Sequence, residues 1–288
     1  MLITKTISEI RFHLNSKKKS GEKIAFIPTM GALHEGHLAL VKKGSELAQN
    51  VVVSIFVNRA QFNDLRDYEK YPRQIEQDLE RLKNSGATHV FLPEESEIFS
   101  KDFSFKIIPT NFTDCLCGSA RPGHFDGVAL IVSKLFNIVK PDVAIFGQKD
   151  FQQLLIIKKL ASDLNFEVEI FAHETLREEN GLAMSSRNQR LSESNKEKAE
   201  NIFRVLSEIK NAIQNGEKDH QKILQQKSEE LLKIGFEKID YFEMRDEKNL
   251  RLLDDANADI SARIFIAAYL GGVRLIDNLA ITQTSAIN

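Results

Sequence analysis

Cysteine is almost absent from this chain of 288 residues: Cys115 and Cys117 are its only two. One residue separates them, so a disulfide across the gap would be strained, and two thiols alone do not make a zinc site. They read as reduced, structural thiols of a cytosolic protein. No apolar run approaches the roughly 20 residues that span a bilayer. Residues 1–6 lack the charged-then-apolar plan of a signal peptide. A surplus of charge is missing too: the formal net charge is −2 and the pI near 6.4. That balance argues against a general role on nucleic acid or at a membrane surface. Also missing are Gly-x-Ser-x-Gly, the Walker lysine loop and Gly-x-Gly-x-x-Gly. No internal repeat or low-complexity segment is present. What remains, 42% hydrophobic and 28% charged, is an ordinary globular balance.

The pattern of elements is that of an α/β protein. A helix is expected over 7–15, followed by the polar loop Ser16-Lys17-Lys18-Lys19-Ser20-Gly21, then a buried strand over 23–27 and a helix over 36–48. Val51-Val52-Val53-Ser54-Ile55-Phe56-Val57 reads as a strand buried on both faces, which completes a right-handed βαβ unit. Residues 64–71 read as an exposed loop, 73–86 as a helix and 89–92 as a strand. Weak strands are expected near 103–108, a helix over 123–139 stopped by Pro141, a strand over 143–146, a helix to about 164 and a strand over 166–171. Alternation of this kind argues for a parallel, doubly wound sheet in a domain of residues 1–175. Beyond Arg190 come amphipathic helices over 193–214 and 219–234, then strands over 237–245 and 262–270. Gly271-Gly272 signals a hairpin, so residues 176–288 are expected to form a separate α+β domain.

Several turns suit phosphates. Ile27-Pro28-Thr29-Met30-Gly31-Ala32-Leu33-His34-Glu35-Gly36-His37 lies between a buried strand and a helix. Unpaired N–H groups and the macrodipole at a helix start favour anions, and two imidazoles one turn apart add donors on the same side. The plain alternative is one capping and one surface histidine. Gly147-Gln148-Lys149-Asp150-Phe151-Gln152-Gln153 repeats the logic after a second strand; lysine suits a phosphate, and aspartate suits a ribose hydroxyl or magnesium. Its plain alternative is an N-cap at Asp150 with surface glutamines. Met184-Ser185-Ser186-Arg187-Asn188 offers two hydroxyls and a guanidinium as a clamp, or an ordinary surface loop. Arg121-Pro122-Gly123-His124-Phe125 is a further cationic turn before a helix, or simply loop chemistry. With no conventional nucleophile, catalysis would rest on positioning and charge stabilisation, as in nucleotidyl transfer.

Taken together, the motif at 28–37, Phe146-Gly147-Gln148-Lys149-Asp150-Phe151-Gln152-Gln153 and Gly181-Leu182-Ala183-Met184-Ser185-Ser186-Arg187-Asn188 resemble the pantoate–β-alanine ligase family. Val53-Ser54-Ile55-Phe56-Val57-Asn58, the turn at 121–125 and Arg274-Leu275-Ile276-Asp277-Asn278 fit the same family. The resemblance implies a Rossmann-like doubly wound domain of the His-x-Gly-His superfamily, a smaller C-terminal α+β lid and a cytoplasmic homodimer. It implies ATP, magnesium, pantoate and β-alanine as the small-molecule partners, with no nucleic acid and no membrane. The reaction implied passes through pantoyl adenylate to pantothenate, AMP and pyrophosphate. By resemblance, Met30, Gly31, Ala32, Leu33, His34, Glu35, Gly36 and His37 line the ATP site, with Gly147, Gln148, Lys149, Asp150, Leu176, Met184, Ser185, Ser186 and Arg187. His34, His37, Lys149, Ser185, Ser186 and Arg187 are the implied catalytic set, His37 being the usual proton donor. Asn58, Gln61, Arg121 and Gln153 would hold substrate, Gln61 also lying near β-alanine, and Asp78 falls at an acidic position associated with magnesium.

The chain departs from the pattern at three places. Arg59 replaces the proline of Asn-Pro-x-Gln-Phe, removing a φ constraint beside Gln61 and adding a charge. Arg66 stands where an acid is common, and Arg81 where a polar residue near magnesium occurs. Other His-x-Gly-His enzymes are the competing reading, either a cytidylyltransferase or an aminoacyl-tRNA synthetase; the latter would need a basic tRNA-binding face, which the net charge does not support. A non-catalytic nucleotide-binding regulator would have lost one of His34, His37, Lys149 or Arg187, and all four are present.

Overall fold

Short runs of β-branched and aromatic residues build a six-stranded sheet in the computed structural model, which describes residues 1–254 and 261–281. The strands are β1 (Leu2–Thr4), β2 (Ile24–Thr29), β3 (Asn50–Ile55), β4 (His89–Phe91), β5 (Val143–Gly147) and β6 (Glu169–His173). Their order is β1-β4-β3-β2-β5-β6, and every pair is parallel. Strand β2 is flanked by β3 on one side and β5 on the other, so chain order reverses there. Open α/β sheets bind ligands beyond the carboxyl ends of strands at such a point.

The helices of this first unit are α1 (Ile7–Lys19), α2 (Glu35–Leu47), α3 (Leu65–Glu69), α4 (Ile75–Leu82) and α5 (Glu95–Ile98). After α6 (Leu116–Ala120), which belongs to the second unit, come α7 (His124–Val139) and α8 (Phe151–Asp163). Ile27, Leu33, Val41, Val53, Leu82 and Ile145 form part of the core between sheet and helices. The first unit comprises Met1–Thr113, Arg121–Gln148 and Gln153–Glu174.

Several local expectations are corrected. Helix α1 runs through the lysines at 17–19, which the sequence suggested were loop. Three cations in the last turn complement the macrodipole there, and Thr6 and Glu9 form a capping box at the other end. The segment 64–71 contains α3, capped by Asp64, and Tyr71 is buried beside Phe62. No strand forms over 103–108.

The second unit holds Asp114–Ala120, Lys149–Gln152 and the described chain from Thr175 onward. Its antiparallel sheet runs β7 (Lys238–Asp246), β8 (Ala262–Leu270) and β9 (Val273–Ala280), with a hairpin at Gly271 and Gly272, whose φ values are +59° and +70°. Paired positive φ values match the right-handed twist of flanking strands. The helices of this unit are α9 (Glu193–Ala199), α10 (Asn201–Gln214) and α11 (His220–Ile234), of which α10 packs on β9 and α11 on β7. The stripe Ile202, Val205, Leu206 and Ile209 is buried with Ile264 and Leu275. The helix expected over 193–214 is two helices, divided at Glu200. The parallel α/β sheet and the smaller α+β unit legible in the sequence are both present.

Candidate active site

The turn from β2 to α2 is held in an unusual backbone form. Gly31 and Ala32 have φ values of +80° and +50°, which point successive N–H groups to one side. Asp78 on α4 receives them: Ala32 N–H donates to Oδ2 at 2.8 Å and Leu33 N–H to Oδ1 at 2.7 Å. A Cβ on residue 31 would lie 2.9 Å from Asp78 Oδ2, so glycine is required there by space as well as by φ. Thr29 Oγ1 accepts from Gly31 N–H and donates to Ser54 O, fixing the strand end.

These contacts give the Asp78 carboxylate a structural duty at the turn. The residue is 1% exposed and both its oxygens are occupied by backbone donors. Burial pushes its carboxyl above the ordinary value, against the opposing pull of the Leu33 and Ala32 N–H groups. Arg81, on the same helix, pairs with Glu35 at 3.5 Å. Among the described residues, no group of three or more His, Cys, Asp or Glu side chains is arranged to hold a metal ion.

His34 is the N-cap of α2, and Glu35, Gly36 and His37 form its first turn. The imidazole centroids of His34 and His37 are 4.1 Å apart. The backbone N–H of His34 donates to Nδ1 of His37 at 3.3 Å. An accepting Nδ1 places the proton of the neutral His37 ring on Nε2. Both rings stand at the positive end of the helix, where charge on phosphate oxygens is stabilised.

Beside this turn, Met30, Asn58 and Gln61 come together. Asn58 Nδ2 donates to Gln61 Oε1 and to Gly127 O, both at 3.0 Å, and Gln61 Nε2 lies 3.0 Å from Met30 Sδ. Asn58 is 1% exposed and caps the short 3-10 turn Arg59–Gln61. That turn forms with arginine in the place of proline, and the Arg59 side chain is exposed. The Gln61 carbonyl accepts from His124 Nδ1 at 2.7 Å and from Arg121 Nη2 at 3.3 Å. Because Nδ1 donates, His124 Nε2 is the acceptor for Arg121 Nη1 at 3.2 Å. Gly127 on α7 approaches the same turn so closely that a Cβ would lie 2.3 Å from Ala60 O. Neither the His124 contact nor the need for Gly127 was evident from sequence; a glycine inside a helical pattern was the available signal.

The turn after β5 carries Gly147, Gln148, Lys149 and Asp150, and Gln153 is half-buried in the first turn of α8. In the second unit, Lys149 Nζ lies 3.9 Å from Asp150 Oδ2. Gln152 serves structure: its amide accepts from Cys117 N–H and donates to Cys115 O, both at 2.9 Å. Both cysteines are free and buried.

Residues 176–184 of that unit fold back on themselves. Met184 N–H donates to Leu176 O, Glu178 N–H to Leu182 O, and Gly181 turns with φ +89°. Ser185 caps the 3-10 helix Ser186–Arg190 by accepting from Arg187 N–H at 3.3 Å. Ser186 is buried, and Asn188 Nδ2 donates to Glu178 Oε1 and Ala183 O, which ties the segment together. Leu176 is exposed.

This arrangement coincides with a known family. The profile of the pantoate-beta-alanine ligase family matches residues 2–280. A pantothenate synthetase of Neisseria meningitidis serogroup C / serotype 2a is 46% identical over 282 residues, covering 98% of this chain and 99% of its own. The crystal structure of pantothenate synthetase from Thermus thermophilus matches with a TM-score of 0.91 at 37% identity, covering 98% and 99% of the two chains. That of pantoate-beta-alanine ligase from Francisella tularensis, complexed with beta-gamma ATP and beta-alanine, matches with a TM-score of 0.84 at 35% identity, covering 98% of each. The chain therefore belongs to the pantoate–β-alanine ligase family, enzymes that condense pantoate and β-alanine with ATP.

Proposed function

We propose that the condensation runs through pantoyl adenylate. A pantoate carboxylate oxygen attacks the α-phosphorus of ATP, the bond from that phosphorus to the bridging oxygen breaks, and pyrophosphate leaves. The β-alanine amine then attacks the acyl carbon, loses a proton and releases AMP. The observation that carries this reading is the His34–His37 pair at the start of α2, beside the Met30–Asn58–Gln61 cluster. The pair supplies donors for phosphate oxygens, His37 through Nε2–H, while the amides of Asn58 and Gln61 suit the hydroxyls and carboxylate of pantoate.

ATP is assigned to Met30, Gly31, Ala32, Leu33, His34, Glu35, Gly36 and His37, and to Gly147, Gln148, Lys149, Asp150, Leu176, Met184, Ser185, Ser186 and Arg187. Arg121 and Gln153 join Asn58 and Gln61 as substrate residues, Arg121 acting at least through the Gln61 carbonyl. Magnesium is assigned to the nucleotide itself, since phosphates and water commonly supply most of its ligands. The working form is proposed to be a cytoplasmic homodimer, which light scattering of the purified chain tests.

The deciding experiment is isotope exchange between pyrophosphate and ATP. Exchange is expected with pantoate alone, and AMP release only when β-alanine is added. Exchange that needs β-alanine, or none with either acid, overturns the two-step reading.

A further inference from the structure

Asp277 and Asn278 are neighbours on β9; Asn278 directly, and Asp277 through Arg177, reach the main chain of two segments that carry residues assigned above to the nucleotide. Asn278 Nδ2 donates to the Lys149 carbonyl at 2.9 Å. Its Oδ1 accepts from Arg263 Nη1 at 2.5 Å, which fixes the orientation of the amide: only Nδ2 can face a carbonyl. Arg263 in turn donates from Nε to Glu247 Oε1 at 2.8 Å and stacks 4.2 Å from the ring centroid of Phe151, two residues past Lys149. The Glu247 side chain is fully buried and that of Arg263 is 8% exposed.

The second branch leaves from Asp277. Its carboxylate takes a bidentate pair from Arg177, 2.6 Å to Nη1 and 3.0 Å to Nη2, and also accepts from Asn278 N–H at 2.7 Å. Arg177 Nη1 donates onward to Gly181 O at 3.0 Å. The Arg177 guanidinium lies 3.9 Å from the Phe203 ring centroid, and the same ring leaves no room for a Cβ at Gly181.

Buried charges are costly unless paired and hydrogen-bonded, so two of them on the strands, Arg263 and Asp277, with Glu247 and Arg177 packed onto them, call for a reason. The hydrophobic stripes of β8 and β9 already account for packing. The polar chain instead ends, at both extremities, on the main-chain carbonyls of Lys149 and Gly181. We propose that Asp277 and Asn278 are positioning residues for adenylation. Asn278, braced by Arg263 and Glu247, sets the direction of Lys149, and Asp277, through Arg177, sets the base of the loop carrying Ser185, Ser186 and Arg187. One dipeptide on a rigid strand thereby fixes the spacing between the lysine and the loop. This rests on the assignment of Lys149 to ATP in the proposed function.

Asn278→Asp is the informative variant. It keeps the bond to Arg263 and gains charge pairing, so the fold is retained, but it sets a carboxylate oxygen against the Lys149 carbonyl. Single-turnover adenylate formation is expected to slow about 10- to 100-fold, the range for loss of positioning by a fraction of an ångström to an ångström. Lys149→Ala is measured in parallel, and the double variant Lys149→Ala/Asn278→Asp should be no slower than Lys149→Ala. A wild-type rate in Lys149→Ala would remove the assignment of Lys149 and leave the inference without its basis. A slow Lys149→Ala beside a fast Asn278→Asp, or losses that multiply in the double variant, would overturn the positioning role alone. Thermal unfolding of Asn278→Asp provides the control: a rate loss that Asn278→Ala and Asn278→Asp share only in proportion to lost stability also overturns it.

Discussion

Replacing Asp78 by asparagine tests whether this carboxylate holds a backbone turn or a metal. The two N–H donors, from Ala32 and Leu33, sit 2.8 and 2.7 Å from separate oxygens. In Asp78→Asn one oxygen becomes an NH2 group facing a donor, and the other bond loses its charge. A buried N–H left without a partner costs roughly 1–3 kcal/mol, and bonds to charged groups are worth about 1.5–3 kcal/mol against about 1 for neutral ones. A net loss of about 2–3 kcal/mol in the native form of the turn follows. Felt in full by His34 and His37, that loss slows adenylation by about 30- to 160-fold, at 1.36 kcal/mol per tenfold. The assay is AMP release at saturating pantoate and β-alanine, repeated across a magnesium titration. The turn reading expects a lower maximal rate with an unchanged magnesium midpoint. A variant that recovers its full rate in excess magnesium, with a displaced midpoint, would refute the reasoning.

Other consequences are open to direct measurement. His37→Ala should slow single-turnover adenylate formation by roughly 10²–10³-fold while leaving the far-ultraviolet spectrum unchanged; a wild-type rate would remove its role. Gly127→Ala must displace backbone, because the new Cβ lies 2.3 Å from Ala60 O, so a stability loss of about 1–3 kcal/mol and a raised KM for pantoate are expected. Arg59→Pro should leave kcat within about threefold and stabilise the protein by roughly 0.4–1 kcal/mol, since the first position of a helical turn accepts proline; a collapse in activity would show that the arginine itself is needed. Asp240 lies between Lys238 at 2.7 Å and Arg274 at 2.8 Å. Burial pushes its carboxyl up, but these partners together hold it below its ordinary value of 3.8. A depressed carboxylate contributes stability that is present above 3.8 and is lost as pH falls through the folded-state value. Denaturant midpoints of Asp240→Asn should therefore fall less than those of the natural chain when pH is lowered through that range.

The two-layer plan was legible because burial leaves a local trace. Val51, Val52 and Val53 in one run, and Ile202, Val205, Leu206 and Ile209 at helical spacing, carry their environment in their own neighbourhood. Strand β1 carries no such trace: Leu2 and Ile3 are exposed, only Thr4 is buried, and its pairing is with β4 far along the chain. The lysines that end α1 have loop-like composition, and only the helix dipole makes them good terminal residues. In the site, the histidine pair stood out by its place between a strand and a helix, whereas Gln61 was marked only by the family resemblance. The duty of Asp78 was not, because its partners lie 45 and 46 positions away. Asn278 was visible only as a letter in a motif; its contact with Lys149 crosses 129 positions.

The meeting of α7 with the Arg59–Gln61 turn bears on the entropy of substrate binding. The Gln61 main chain is pressed against Gly127 on one side and held at its carbonyl by Arg121 and His124 on the other. Its backbone freedom is lost when the protein folds, before any ligand arrives. In the proposed pantoate site the Gln61 side chain is itself already held, its amide accepting from Asn58 Nδ2 and set against Met30 Sδ, each at 3.0 Å, so little of it is left for a ligand to order. Fixing a backbone residue would have added roughly 1–2 kcal/mol. A glycine in a helix, inconspicuous in the sequence, thus lets folding meet a cost that would otherwise weaken the grip on substrate.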